Sequence, residues 1–270
     1  MEAAQLQENC RRFNQAKDTP FLQQPLLNLV GPLGTGPAAE AILNGDFVVP
    51  EGVNYWAAKL ITQLKRPAAV TTLQQRKPHV SVDKHCKGWK RAKEQTSSGK
   101  SGITFSHLKA GATCPEIAEF EAQMADIPYK SGMSPDRWKK ALNVMLEKKK
   151  GNFRVDKLRA IVLFEADFNQ NNKQLGRETM FTAEDLNAIA KEQYGSRKHF
   201  SAIDHSLNKL LTFDLIRQLK REAVLCANDV KSCYDRIVHS IESLSMPRVG
   251  APIEPIICMF TTIQRLEHHI

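Results

Sequence analysis

The chain has 270 residues, 42% apolar and 25% charged, a balance that supports a sizeable core and excludes a disordered polymer. Its formal charge of +9 and pI near 9.3 favour a polyanionic partner, nucleic acid first and an acidic membrane surface second; a merely basic soluble protein is the plainer alternative. Six scattered Cys without a CxxC pair or zinc-like Cys/His spacing fit a reducing compartment. The polar N-terminus, and apolar runs well short of the roughly 18 residues of a membrane span, predict an intracellular protein, nuclear or cytoplasmic, neither secreted nor membrane-bound.

Residues 1–93 read as a region of short helices and loops. Gly31 to Pro37 is a loop, and Tyr55 to Leu64 has helical apolar spacing. Lys84 to Lys93 is dense in basic residues around Trp89, which is suited either to stacking on a nucleic acid strand or to a solvated helix. Gly99-Lys100-Ser101 imitates the end of a phosphate-binding loop, but Glu94 stands where the first Gly is needed, so this block is a Ser/Gly loop. Phe105 starts a helix, and Pro115 opens another.

Residues 141–147 and 158–164 read as two antiparallel strands, with Lys148-Lys149-Lys150-Gly151-Asn152 as the tip of their hairpin. The triple Lys is either a solvated tip or a nucleic-acid contact. Further on, Thr182 with Asp185 and Ser201 with Asp204 have the spacing of helix caps. Ile203, Leu207, Leu210, Leu211, Leu215 and Leu219 describe a long amphipathic helix. A last apolar helix follows Pro252 and Pro255 and runs to about Leu266. Strands and helices mix without regular alternation, so the fold class is α+β.

The apolar run from Ala223 to Ala227 predicts a strand, 223–229, that joins a small sheet and delivers Asp229 to a surface. A carboxylate at that point is suited to a divalent cation and to two-metal phosphoryl transfer. The plainer reading is chance, since Asp229 and Asp235 are two of 29 acidic residues.

Asp229-Val230-Lys231-Ser232-Cys233-Tyr234-Asp235 resembles the first palm motif of reverse transcriptases, and other blocks fall in the order found in non-LTR (LINE-like) retrotransposons. Ser101-Gly102-Ile103-Thr104 resembles the Gly-rich entry to the fingers, and Val144 to Lys148 after Trp138 resembles a fingers strand. Lys157 to Leu163 resembles the block that usually ends Arg-Pro-Ile-x-Leu, although Ala160 replaces the Pro. Asp167-Phe168-Asn169 and Lys173 follow, and Glu192 to Arg197 resembles a Gln-x-Gly-Phe-Arg block with Ser196 in place of Phe. Cys233 replaces the usual Ala of the palm motif. The resemblance covers about residues 94–270. It implies a partial right-hand polymerase, with a helical region over 1–93, fingers over 94–222 and an incomplete palm over 223–270.

The resemblance implies an RNA-directed DNA polymerase whose partners are an RNA template, a DNA primer and a deoxynucleotide triphosphate, with Mg²⁺ as cofactor. On this basis Asp229 and the Val230 carbonyl hold the metal, and Tyr234 rejects a 2′-hydroxyl. Arg159 and Lys173 approach the triphosphate, while Lys148, Lys149 and Lys150 meet nucleic acid and Arg197 either contacts the template or packs the fingers. The family's Gln-Gly and paired-Asp motifs do not follow the first palm motif in this sequence, so the expectation is a fragment inactive on its own. A non-catalytic basic nucleic-acid-binding protein derived from such an element is the alternative, and a basic helical scaffold is a further one.

Overall fold

The computed structural model describes residues 19–72, 77–154, 157–224, 226 and 236–269. Over these residues the chain is a mixed α+β structure in which helices dominate beside one small three-stranded sheet. The N-terminal part is a set of short helices: α1 (Leu26–Val30), α2 (Ala39–Asn44), α3 (Tyr55–Thr62), α4 (Ala68–Thr71) and α5 (Val82–Lys90). Local chemistry sets their limits. Asn54 accepts from the Trp56 and Ala57 N–H groups to start α3, and Ser81 accepts from the Lys84 N–H to start α5. Gly36 donates to the Val30 carbonyl at 2.7 Å, and a Cβ there would lie 2.3 Å from the Leu29 oxygen, so only glycine allows this close return.

Then come α6 (Phe105–Gly111), α7 (Pro115–Ser131) and, after the sheet hairpin, α8 (Ala166–Asp185), α9 (Ala202–Gln218), α10 (His239–Arg248) and α11 (Ile253–Gln264). Pro115 occupies the first turn of α7, and Gly132, at φ +72°, ends it in a left-handed cap. Thr182 is not a helix start. Helix α8 runs through it, because Phe168, Asn171, Leu175, Thr179 and Ala183 recur on one buried face that continues past it. The Ser201 cap does form, with reciprocal bonds between Ser201 and Asp204.

Strands β1 (Lys140–Glu147) and β2 (Leu158–Leu163) pair antiparallel, with Leu142 opposite Leu163 and Glu147 opposite Leu158. The third strand, β3 (Glu267–His269), runs parallel to β1 on its other edge. It follows the end of α11, where the sequence reading continued the helix to about Leu266. Three residues are too few for a period-two pattern to register. Of the strand expected over 223–229, residues 225 and 227–229 lie outside the described residues, while 223, 224 and 226 take part in no strand pairing.

Four buried clusters hold the molecule together. Leu26, Val30, Ile42, Leu43 and Ile61 of the N-terminal helices close on Leu244 of α10. Tyr129 of α7, Leu175 of α8 and Ile256 and Phe260 of α11 form a second cluster. Trp89, Ala92, Phe105 and Ala166 form a third, and Trp138, Phe168 and Cys258 a fourth. Helix α8 therefore enters three of the four. Each fully buried large side chain contributes roughly 1.5–3 kcal/mol of transfer free energy. Trp89 is only 1% exposed and packs edge-on against Phe105 at 5.8 Å. It cannot stack on a nucleic acid strand, and the basic stretch around it is the solvated face of α5.

Candidate nucleic-acid interface

The β1–β2 hairpin carries the first group of predicted contacts. Its tip closes by local bonds: the Gly151 N–H donates to Glu147 Oε2 at 2.6 Å, and the Asn152 N–H donates to the Lys149 carbonyl at 3.1 Å. Gly151 sits at φ +81°, where a Cβ would be strained. These bonds leave Lys148, Lys149 and Lys150 exposed, and none of the three forms an ion pair among the described residues. Arg159 is exposed opposite Leu146 in the register, one pair from the Glu147–Leu158 pair at the tip end of the hairpin. Phe153, 68% exposed beside the tip, adds an aromatic that the sequence reading did not single out.

A second basic group lies on α8. Lys173, Gly176, Arg177, Met180, Phe181 and Glu184 follow one another at steps of three and one, which puts them on one helical face. The turn at 196–198 faces them, and together they enclose an open pocket of about 480 Å³. The structure thus brings Lys173 and Arg197 to the same site, although they are 24 residues apart in sequence. Arg197 is bonded within the chain, as the packing alternative for it expects. Its Nε donates to Glu184 Oε1 at 3.2 Å, its Nη1 donates to the Ala190 and Gln193 carbonyls, and its guanidinium lies 4.1 Å from the Phe200 ring centroid. These donors fix the loop to α8, so Arg197 packs the wall of the site. Arg177, Phe181 and Lys198 were not singled out in the sequence. Their helical spacing from Lys173 was the available signal for the first two.

The Ser/Gly loop is ordered around an acid. Glu165, fully buried just before α8, accepts from the Ser101 N–H at 2.9 Å, from the Ser101 hydroxyl and from Arg137 Nη1 at 2.8 Å. Arg137 also pairs with Asp167. Burial works against the charge of Arg137, but the Asp167 and Glu165 carboxylates outweigh it and raise its pKa above the ordinary value. A Cβ on Gly99 would lie 2.7 Å from Glu165 Oε1. The loop therefore wraps a carboxylate of its own chain, which places its amide of Ser101 out of reach of a phosphate. Nearby, Lys100 Nζ lies 3.1 Å from His269 Nδ1, tying the same loop to β3.

Asp229, Val230, Tyr234 and Asp235 lie outside the described residues, so the predicted metal and sugar contacts have no geometry here. Among the described residues no group of three or more His, Cys, Asp or Glu side chains could hold a metal ion. No helix among them is long and apolar enough to cross a membrane. Comparisons with protein families, with curated proteins and with solved structures yield no match.

Proposed function

We propose that this chain binds nucleic acid as the fingers and first part of the palm of a reverse-transcriptase-like nucleotidyltransferase. The observation that carries this reading is the β1–β2 hairpin, whose three consecutive Lys side chains stand exposed and without ion pairs among the described residues. Neutralising phosphates releases condensed counterions, so such a tip supplies affinity that falls with salt. Phe153 beside the tip offers a face for an unpaired base. The α8 pocket adds Lys173 and Arg177 as further cations without ion pairs among the described residues.

On this reading the partners are an RNA template, a DNA primer and a deoxynucleotide triphosphate, met inside the cell. Asp229 and the Val230 carbonyl would hold Mg²⁺, which would supply charge neutralisation at the transferred phosphate. Tyr234 would lie beneath the sugar and Arg159 would approach the triphosphate, whereas Lys173, which the resemblance also puts at the triphosphate, lies in the α8 pocket.

Fluorescence anisotropy with a labelled single-stranded RNA, over a salt series, tests the binding part. A Lys148/Lys149/Lys150→Ala variant should bind more weakly, with a log–log salt slope smaller by about 2, since each lost phosphate contact removes about 0.7 for a single strand. Unchanged affinity and slope would exclude the tip as an interface. For the metal, Mn²⁺ binding followed by electron paramagnetic resonance should weaken in Asp229→Asn, while metal-free RNA binding stays at the wild-type value. Equal Mn²⁺ binding by both proteins would remove Asp229 from that role.

A further inference from the structure

The pocket on α8 has three features that a plain charged surface lacks. It is concave, at about 480 Å³, within the roughly 300–1,000 Å³ common for ligand sites. Its cations are left over after internal pairing: Glu184, the acid in its lining, is engaged by Arg197, whereas Lys173 and Arg177 have no ion pair among the described residues. It also exposes an aromatic, since Phe181 is 51% accessible although it sits on the same face as Arg177.

We propose that this pocket receives one nucleotide of a single-stranded nucleic acid, with the base against Phe181 and the flanking phosphates on Lys173, Arg177 and Lys198. The inference rests on the nucleic-acid reading above, and adds to it a second binding site with its own chemistry. A base can lie against an aromatic face only when it is unstacked, which selects a single strand over a duplex. Lys198 Nζ lies 6.0 Å from the Phe181 centroid, at the limit of cation–π range, so it is weakly held there and free to turn to a phosphate. Arg197 sets the far wall through Glu184 and the Ala190 and Gln193 carbonyls, so the cavity is formed before a ligand arrives. Gly176 lines the pocket with open space above it, since a Cβ added there meets nothing within 4 Å.

That glycine supplies a test that leaves every charge in place. Gly176→Leu fills the pocket from a helix interior, where Leu is a better helix former than Gly, so the variant should be at least as heat-stable as wild type. It should bind a labelled single-stranded oligonucleotide more weakly with an unchanged salt slope. Phe181→Ala should weaken binding by roughly 5- to 150-fold, also without a change of slope. Arg177→Gln should lower the slope by about 0.7. Competition with a free nucleoside triphosphate completes the set, and it should not displace the strand at comparable concentration. If Gly176→Leu and Phe181→Ala bind like wild type while the hairpin variant binds weakly, the pocket assignment is wrong and the hairpin reading stands. If wild type binds no oligonucleotide at low salt, both fall. A free triphosphate that displaces the strand at equal concentration would overturn the strand assignment in favour of an isolated nucleotide.

Discussion

Asp126 illustrates how single charges tie distant segments together. It lies on α7, is buried, and takes the Val80 N–H at 2.7 Å, His79 Nδ1 at 3.0 Å and Lys130 Nζ. Burial alone would push its carboxyl up, but the Lys130, Val80 and His79 contacts win, and its pKa falls below the ordinary value. A depressed folded pKa means that the unfolded chain takes up this proton first. The stabilisation is therefore complete above the unfolded value of about 3.9 and is lost as pH falls through the lower folded value. Asp126→Asn should cost about 1–3 kcal/mol at neutral pH and flatten the acid limb of stability. Urea midpoints measured from about pH 6 to pH 3 would check this, and parallel curves for the two proteins would contradict it. Cys258 shows the opposite balance. Burial dominates, and its thiol is pushed up to about 11, which marks it as a packing residue beside Trp138 and Phe168 rather than a nucleophile.

At the scale of elements, α8 and α9 contrast. Helix α8 buries a face along its whole length, whereas α9 has no buried residue among those described. Ile203, Leu207, Leu211 and Leu215 on α9 and Leu219 at its C-cap recur every four residues and are all exposed. Its start is held by the Ser201–Asp204 capping box and its end by an Asp214–Arg217 pair at 3.0 Å. A helix that depends on its cap rather than on packing should respond locally. Ser201→Ala should cost about 1 kcal/mol of α9 helicity. Hydrogen exchange would then show faster amides over 202–218, with an unchanged melting temperature for the molecule. A fall in the global melting temperature would show that α9 is coupled to the core.

For the whole molecule, cohesion depends on α8 and on the return of the C-terminal helices. Phe168 meets Trp138 at 5.3 Å and Phe164 at 5.2 Å, while Ala166 and Leu175 of the same helix enter two other clusters. Leu244 of α10 closes the N-terminal cluster, so the N-terminal helices share one core with a helix near the other end of the chain. Phe168→Ala should cost about 3–5 kcal/mol and lower the melting temperature by roughly 10 °C in one transition. Calorimetry that resolved two transitions, with only one moved by the substitution, would show that the clusters unfold independently.

Local signals were legible in the sequence wherever the cause is local. The apolar runs and the polar Gly-containing link determined the hairpin at 140–163, Pro115 determined the start of α7, and Ser201 with Asp204 determined the start of α9. Lys148 to Lys150 were readable as an exposed tip, since such residues have no reason to be buried. The same local rules misread Thr182, because a capping spacing also occurs inside a helix whose buried face runs on. Trp89 among its Lys neighbours could not be assigned to the core until Phe105 and Ala166 came to cover it. Tertiary structure alone brought Lys173 against the 196–198 turn, turned Arg197 inward to Glu184, and added β3 beside β1 from the far end of the chain. Sequence patterns report the face a residue prefers to bury, within a turn or two of the chain. Which distant segment covers that face is decided by how helices pack, and the α8 pocket exists only through that packing.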